Sequence, residues 1–477
     1  MLLATTLMAA ASVAIVTQER VALRAAPRDS AAQQAVLWPG DALEIRGDRL
    51  GYLQVYDHRR ERAGYVLATQ VRGTALAPEE APELLAVLRF VRDTPGAEAL
   101  GIGYAAAYLR AAPAGAITAE PFDALGTLAE RLAQRASVRQ PKAGDAVAAQ
   151  LEVASFYGVQ FRSYERDGAI RLCYDGEAFR RVFALAASAE QRARAALALT
   201  RHDCVDPALR PLELAQFDRW RGDVLDRLDP AQWRELAEPL KNRLRLRRAG
   251  VWSAVAFERT RQGDAASAAS AAQRAIDDLA AVNKSELTEA DALDYDDAAL
   301  RVGAVRWAAL PAVAPTANRL RIVTAPGAPG QTCVTLVDAA RDAAVPLAKR
   351  CTYAVVWTGS VSVQPAGRAV ALAVQPLAGW RELWVFRRQA DGWTIDVLPP
   401  GTGDPELGYV EFAGWVPGGA KLLLAREAKA GGRHKRSFEV ASLATLNTEN
   451  QASRPTGLAL FAKWQDAGWK RATVSLR

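Results

Sequence analysis

The side chains able to do covalent or metal chemistry are few and far apart. Four cysteines fall as two local pairs, Cys173 with Cys204 and Cys333 with Cys351, and the three histidines are His58, His202 and His434. A metal site usually needs tight ligand spacing such as C-x2-C, and only His202 stands near a cysteine. A nucleophilic reading of His202-Asp203-Cys204 meets a geometric objection. The base must face the thiol in space, not precede it by two residues in sequence. Free buried thiols are a further alternative. An even cysteine count in local pairs best suits two disulfides in an oxidising compartment, closing loops of about thirty and about eighteen residues worth about 3 kcal/mol each. The acidic run 286–297 carries Asp291, Asp294, Asp296 and Asp297. Paired carboxylates can hold calcium or act as acid and base, but the run lacks the central glycine of an EF-hand loop and reads as the acidic start of a helix. With no GxSxG, HExxH or P-loop pattern, we expect no catalytic residue, no metal and no cofactor.

Composition sets the class. The chain has 477 residues, is 50% hydrophobic and 24% charged, and carries a formal charge of +7. That suits globular protein of two to four domains. Arginine is scattered rather than clustered with aromatics, so no nucleic-acid face is expected. No run of about eighteen apolar residues lies in the body of the chain, so no internal membrane span is expected. Residues 1–16 are apolar and end in small residues, with Ser12-Val13-Ala14 placed as a cleavage site, although no basic residue precedes the run. We read them as a signal peptide or anchor. With the cysteines, this points to the periplasm or cell envelope of a bacterium.

These residues must be positioned by three different kinds of element. Residues 17–75 show short apolar runs broken by Gly, Pro and Asp, the pattern of short strands and tight turns. Leu23-Arg24-Ala25-Ala26-Pro27, Gly40-Asp41, Gly51-Tyr52-Leu53-Gln54-Val55 and Gly64-Tyr65-Val66 follow in order. This stretch resembles a bacterial SH3 (SH3b) domain, with tyrosines where the family writes tryptophan. The resemblance implies a small β-barrel whose aromatic groove binds peptidoglycan peptides or proteins. The groove residues would be Trp38, Tyr52, Tyr56 and Tyr65, for which barrel packing is the alternative role.

Residues 76–315 change to three-and-four apolar spacing rich in Ala, Leu, Arg and Glu, which predicts an α-helical domain. Helices are expected over 82–93, 100–111, 121–137, 145–157, 177–187, 189–200, 218–228, 231–248, 251–262 and 265–282, with a hairpin over 161–172 turning at Asp167-Gly168. Ser188 should cap one helix, and a Cys173–Cys204 bridge would clamp the helical hairpin between them. The basic cluster 241–248 reads as a solvated helix face, with anionic docking as the sharper alternative. The pair 251–262 and 265–282, joined by Gly263-Asp264, is similar to one tetratricopeptide-type hairpin, although a single unit is no array.

Residues 316–477 return to strands. Residues 361–372 align with 413–424 at an offset of about fifty, each strand–turn–strand followed by another strand. The unit resembles a blade of TolB-like or WD40-like propellers, without the Asp of their P-D-G turn. Residues 458–475 read as a further hairpin, and Trp380, Trp384, Trp393 and Trp415 as core residues or a binding face. The fold class is thus multidomain α+β, with an SH3-like barrel (17–75), a helical middle (76–315) and an antiparallel propeller-like β domain (316–477). All three are types of interaction module. We expect an exported cell-envelope binding protein, with a cell-wall hydrolase targeted by the SH3b-like part, or a scaffold in a periplasmic assembly, as alternatives.

Overall fold

The computed structural model describes residues 12–138, 144–166, 169–228, 231–310, 320–401, 407–431 and 433–472. It is a mixed α+β chain that divides into two compact units, Met1–Leu209 with Arg227–Leu236, and Arg210–Asp226 with Ala237–Arg477.

The first unit begins with strands β1 (Val13–Val16), β2 (Val21–Arg24), β3 (Gln33–Leu37), β4 (Ala42–Arg49), β5 (Tyr52–Asp57), β6 (Arg62–Leu67) and β7 (Val71–Thr74). They form one antiparallel sheet in the order β3-β2-β6-β5-β4-β1-β7. Apolar alternation drives it: Val21, Leu23, Leu37, Leu43, Val55 and Val66 close one core. Helices α1 (Ala81–Arg92), α2 (Glu98–Ala111), α3 (Glu120–Ser137) and α4 (Gly144–Phe156) follow, then a hairpin β8 (Phe161–Arg166) and β9 (Ala169–Tyr174), then α5 (Glu177–Ala184) and α6 (Ala189–Leu199). The expected Asp167-Gly168 turn lies outside the described residues. Ser188 caps α6 in a full capping box with Gln191.

One expectation changes here. Residues 1–11 are outside the described residues, but Val13–Val16, assigned from sequence to a signal peptide or anchor, is a central strand. Its Ala14 and Val16 join the sheet core, while Ile15, pointing the other way, joins the helical core with Leu84, Leu88 and Ile102. Four consecutive apolar residues suffice for a strand when both faces are buried. The sheet therefore begins at Val13, not at residue 17.

The second unit holds α7 (Pro211–Asp226), α8 (Glu238–Arg261), α9 (Ala265–Ala280) and α10 (Glu289–Val305). The helical stretch 76–315 is therefore shared between units. The reason is a common core: Val255, Phe257, Ala272 and Val305 pack with Val355, Trp357 and Ala373 of the strands that follow. Helix α8 also runs unbroken through Ala249-Gly250, where two helices were expected. An interior glycine costs about 1 kcal/mol, less than burying Leu246, Val251, Val255 and Phe257 stabilises.

Strands β10 (Arg321–Pro326), β11 (Thr332–Val337) and β12 (Ala348–Thr352) make a three-stranded sheet. Strands β13 (Val355–Val363), β14 (Ala369–Leu377), β15 (Trp380–Gln389) and β16 (Gly392–Leu398) form one four-stranded meander. A second comprises β17 (Leu407–Trp415), β18 (Lys421–Ala430), β19 (Arg433–Ser442) and β20 (Thr448–Ala452). A short parallel pairing of β15 with β17 joins them into one eight-stranded sheet. The two copies read from the sequence occupy the same places, at the β13–β14 and β17–β18 turns. The described strands form these open sheets. The expected hairpin over 458–475 is instead helix, α11 (Ala459–Trp464) and α12 (Ala467–Ala472), over the residues described. Leu458, Phe461 and Trp464 recur at helical spacing, and Phe461 is fully buried against Phe438 and Trp469.

Candidate functional site

The register of β5 and β6 decides which sequence candidates share a surface. Gln54 pairs with Tyr65, Tyr52 with Leu67 and Tyr56 with Ala63, so Tyr52, Tyr56 and Tyr65 lie on one face, opposite the core residues Val55 and Val66. They are not equivalent. Tyr52 is buried, and its hydroxyl donates to Asp29 Oδ1 at 2.5 Å, a bond that raises its pKa above the ordinary phenol value. It is a packing residue. Tyr56 and Tyr65 are half-buried. The Arg46 guanidinium lies 4.1 Å from the Tyr56 ring centroid, and His58 meets that ring edge-on at 4.9 Å. Trp38 follows β3, where its backbone N–H donates to Asp41 Oδ2 and Arg20 stands 5.9 Å from its ring. None of the four rings stacks on another among the described residues.

The turn beside Trp38 is an anchor. Gly40 has a φ of +91° and passes so close to α2 that a Cβ would meet the Ala99 carbonyl oxygen at 2.4 Å. Its own carbonyl accepts from the Tyr157 hydroxyl at 2.7 Å. Asp41 is buried, which pushes its pKa up against the pull of Arg59 at 3.1 Å and Arg60 at 3.3 Å. The Gly40 turn is therefore closed against α2 and the end of α4.

The remaining sequence candidates are accounted for by structure. Cys173–Cys204 and Cys333–Cys351 are both disulfides, which removes Cys204 as a nucleophile. Cys333 and Cys351 are directly paired across β11 and β12. No cluster of metal-binding side chains occurs among the described residues. In the acidic run, Asp291 joins Thr288 in the capping box of α10 and pairs with Arg243, while Asp297 pairs with Lys429 and His434. The basic cluster is largely paired: Lys241 and Arg245 with Glu238, Arg248 with Asp226 and Asp278. Trp380 and Trp384 are core. The Trp415 indole donates to Ser362 Oγ at 3.1 Å.

One feature was missed by sequence reasoning. Arg306, Arg381 and Glu411 form a buried ionic cluster in the second unit, with side-chain exposures of 5%, 0% and 5%. Burial pushes the Glu411 carboxyl up, but the two arginines outweigh it and hold it below the usual range. Beside the cluster is a cavity of about 570 Å³. A signal was present: Arg381 stands two and four residues before the core residues Leu383 and Val385, so a charge sits at an apolar position of the strand. Among the described residues, no helix is long and apolar enough to cross a membrane. No family model, no curated protein and no solved structure matches the chain.

Proposed function

We propose that the chain is an exported, non-catalytic binding protein of the bacterial cell envelope, and that the Tyr56–Tyr65 face of its N-terminal sheet holds a peptidoglycan peptide. The observation that carries the reading is the β5–β6 register, which brings two partly exposed tyrosines and Gln54 to one side of the sheet while the core takes the other. Aromatic rings with a polar neighbour suit an extended peptide, giving apolar area and a hydrogen-bonding group together. The two disulfides support an oxidising compartment. The SH3b-like motifs agree in order with β2, the Gly40 turn, β5 and β6.

Export must leave β1 intact. Cleavage after Ala14 would cut that strand, whereas cleavage after Ala11, at Ala9-Ala10-Ala11, would spare it. The test is sedimentation of the full chain with purified peptidoglycan, beside a Tyr56→Ala/Tyr65→Ala variant checked by circular dichroism. The wild type should sediment with the wall and the folded variant should remain in solution. Equal behaviour of the two would sink the reading.

A further inference from the structure

The cavity in the second unit combines an apolar wall with unbalanced charge. Leu310, Val361, Leu383, Phe412 and Trp469 line it, and Arg381 and Glu411 form its polar end. About 570 Å³ is the size of a small-molecule site. Two guanidinium groups, Arg306 and Arg381, face one carboxylate, Glu411, and all three are buried.

Glu411 is fully engaged. Its Oε1 takes Arg381 Nη2 in a hydrogen bond and lies 3.0 Å from Arg306 Nη2, and its Oε2 accepts from Trp469 Nε1 at 2.8 Å. Arg381 Nη1 donates to the Gly303 and Ala304 carbonyls, at the end of α10, at 2.7 and 3.2 Å. What remains is a surplus of donors. Arg306 Nε and Nη1, Arg381 Nε and Trp307 Nε1 are buried with no acceptor among the described residues. Trp307 lines the cavity too. Asp466, at the rim, does not supply the missing charge: it is exposed, and its Oδ1 accepts from the Trp469 backbone N–H as the cap of α12. Buried donors rarely go without acceptors, and a buried cation in excess is costlier still.

We propose that this cavity binds a small amphipathic monocarboxylate. Its carboxylate would sit against Arg381 Nε and the Trp307 indole N–H, with Arg306, which shares Glu411 with Arg381, adding its charge, and its apolar body would lie along Leu383, Phe412 and Trp469. Guanidinium groups present paired donors that match a carboxylate's two oxygens. The same chemistry is offered by a free organic acid and by the terminal carboxylate of a short peptide. The proposal is independent of the tyrosine face.

The experiment titrates the full chain with octanoate and octanol, and with acetyl-dileucine as acid and as amide, following tryptophan fluorescence and heat. The expected result is that at least one acid binds about tenfold or more tightly than its neutral partner, as a charge-assisted contact allows. Preference for octanoate identifies the free acid, and preference for the dipeptide acid identifies a peptide terminus. Arg306→Met should weaken the acid about tenfold or more without lowering the melting temperature, since it removes a surplus buried charge. Should that variant fail to fold, Trp307→Phe must reduce the acid's advantage several-fold. Equal binding of acid and neutral analogue, absence of binding by either acid, or an unchanged acid preference in the folded variants would each overturn the proposal.

Discussion

Tyr157 shows what a single residue contributes beyond its place in a pattern. Its position at the end of α4 was legible as helical, but its hydroxyl reaches the Gly40 carbonyl, and nothing local in the sequence pairs the two. Burial pushes its ionisation far above the ordinary tyrosine value of 10.0, with the charge of Asp41 adding to the shift. A folded-state pKa raised in this way stabilises fully below the unfolded value and is lost as pH climbs past it. The first unit should therefore lose stability above about pH 10, the ordinary tyrosine pKa. Tyr157→Phe should cost about 1 kcal/mol at pH 7 through the lost hydrogen bond and should flatten the loss above pH 10. Urea unfolding across pH 7 to 11 measures both, and an unchanged alkaline slope would remove Tyr157 as its source. Gly40-Asp41 shows the same limit from the other side. The turn was readable from its residue types, whereas the closeness of Ala99 depends on chain that folds back later.

Elements were legible where periodicity was undisturbed and lost where two environments competed for one segment. The first-unit helices, the β8–β9 hairpin and the repeated strand–turn–strand unit all follow from spacing. The basic and acidic runs were read as helix faces, and most of their charges, on α8 and α10, find partners within those helices or on α9 and β18. Strand β1 went the other way. Its apolar run satisfies the pattern of a secretory segment, and only the folded structure shows that both of its faces are buried. That two-sided burial is testable. Ile15→Ala should destabilise the first unit by about 2–5 kcal/mol, the range for large-to-small changes at a site of this burial. A chain starting at residue 17 should fail to form that unit, whereas one starting at Ser12 should fold. Chemical denaturation of the point variant and circular dichroism of the two truncations provide the comparison. A stable, native-like chain from residue 17 would show that β1 is dispensable.

At the scale of the whole molecule, the boundaries were the least legible feature, because helices of one composition join two different cores. Helices α1 to α6 share a unit with the N-terminal sheet, while α7 to α10 share one with the C-terminal strands, so no change of composition marks the division. The cysteines mark it better, since each unit contains one disulfide, with sequence separations of 31 and 18. Closing loops of this length stabilises by about 3–4 kcal/mol in the chain-entropy account. Separate cores predict separate consequences. Cys173→Ser/Cys204→Ser should lower the melting transition of the first unit, and Cys333→Ser/Cys351→Ser that of the second, each leaving the other transition in place. Differential scanning calorimetry of the two double variants makes the measurement, with limited proteolysis assigning each transition to its unit. A single transition that moves equally in both would mean that the units melt as one cooperative body. Two transitions that move independently would establish that each core is a folding unit, and would locate the division inside the helical run rather than at its ends.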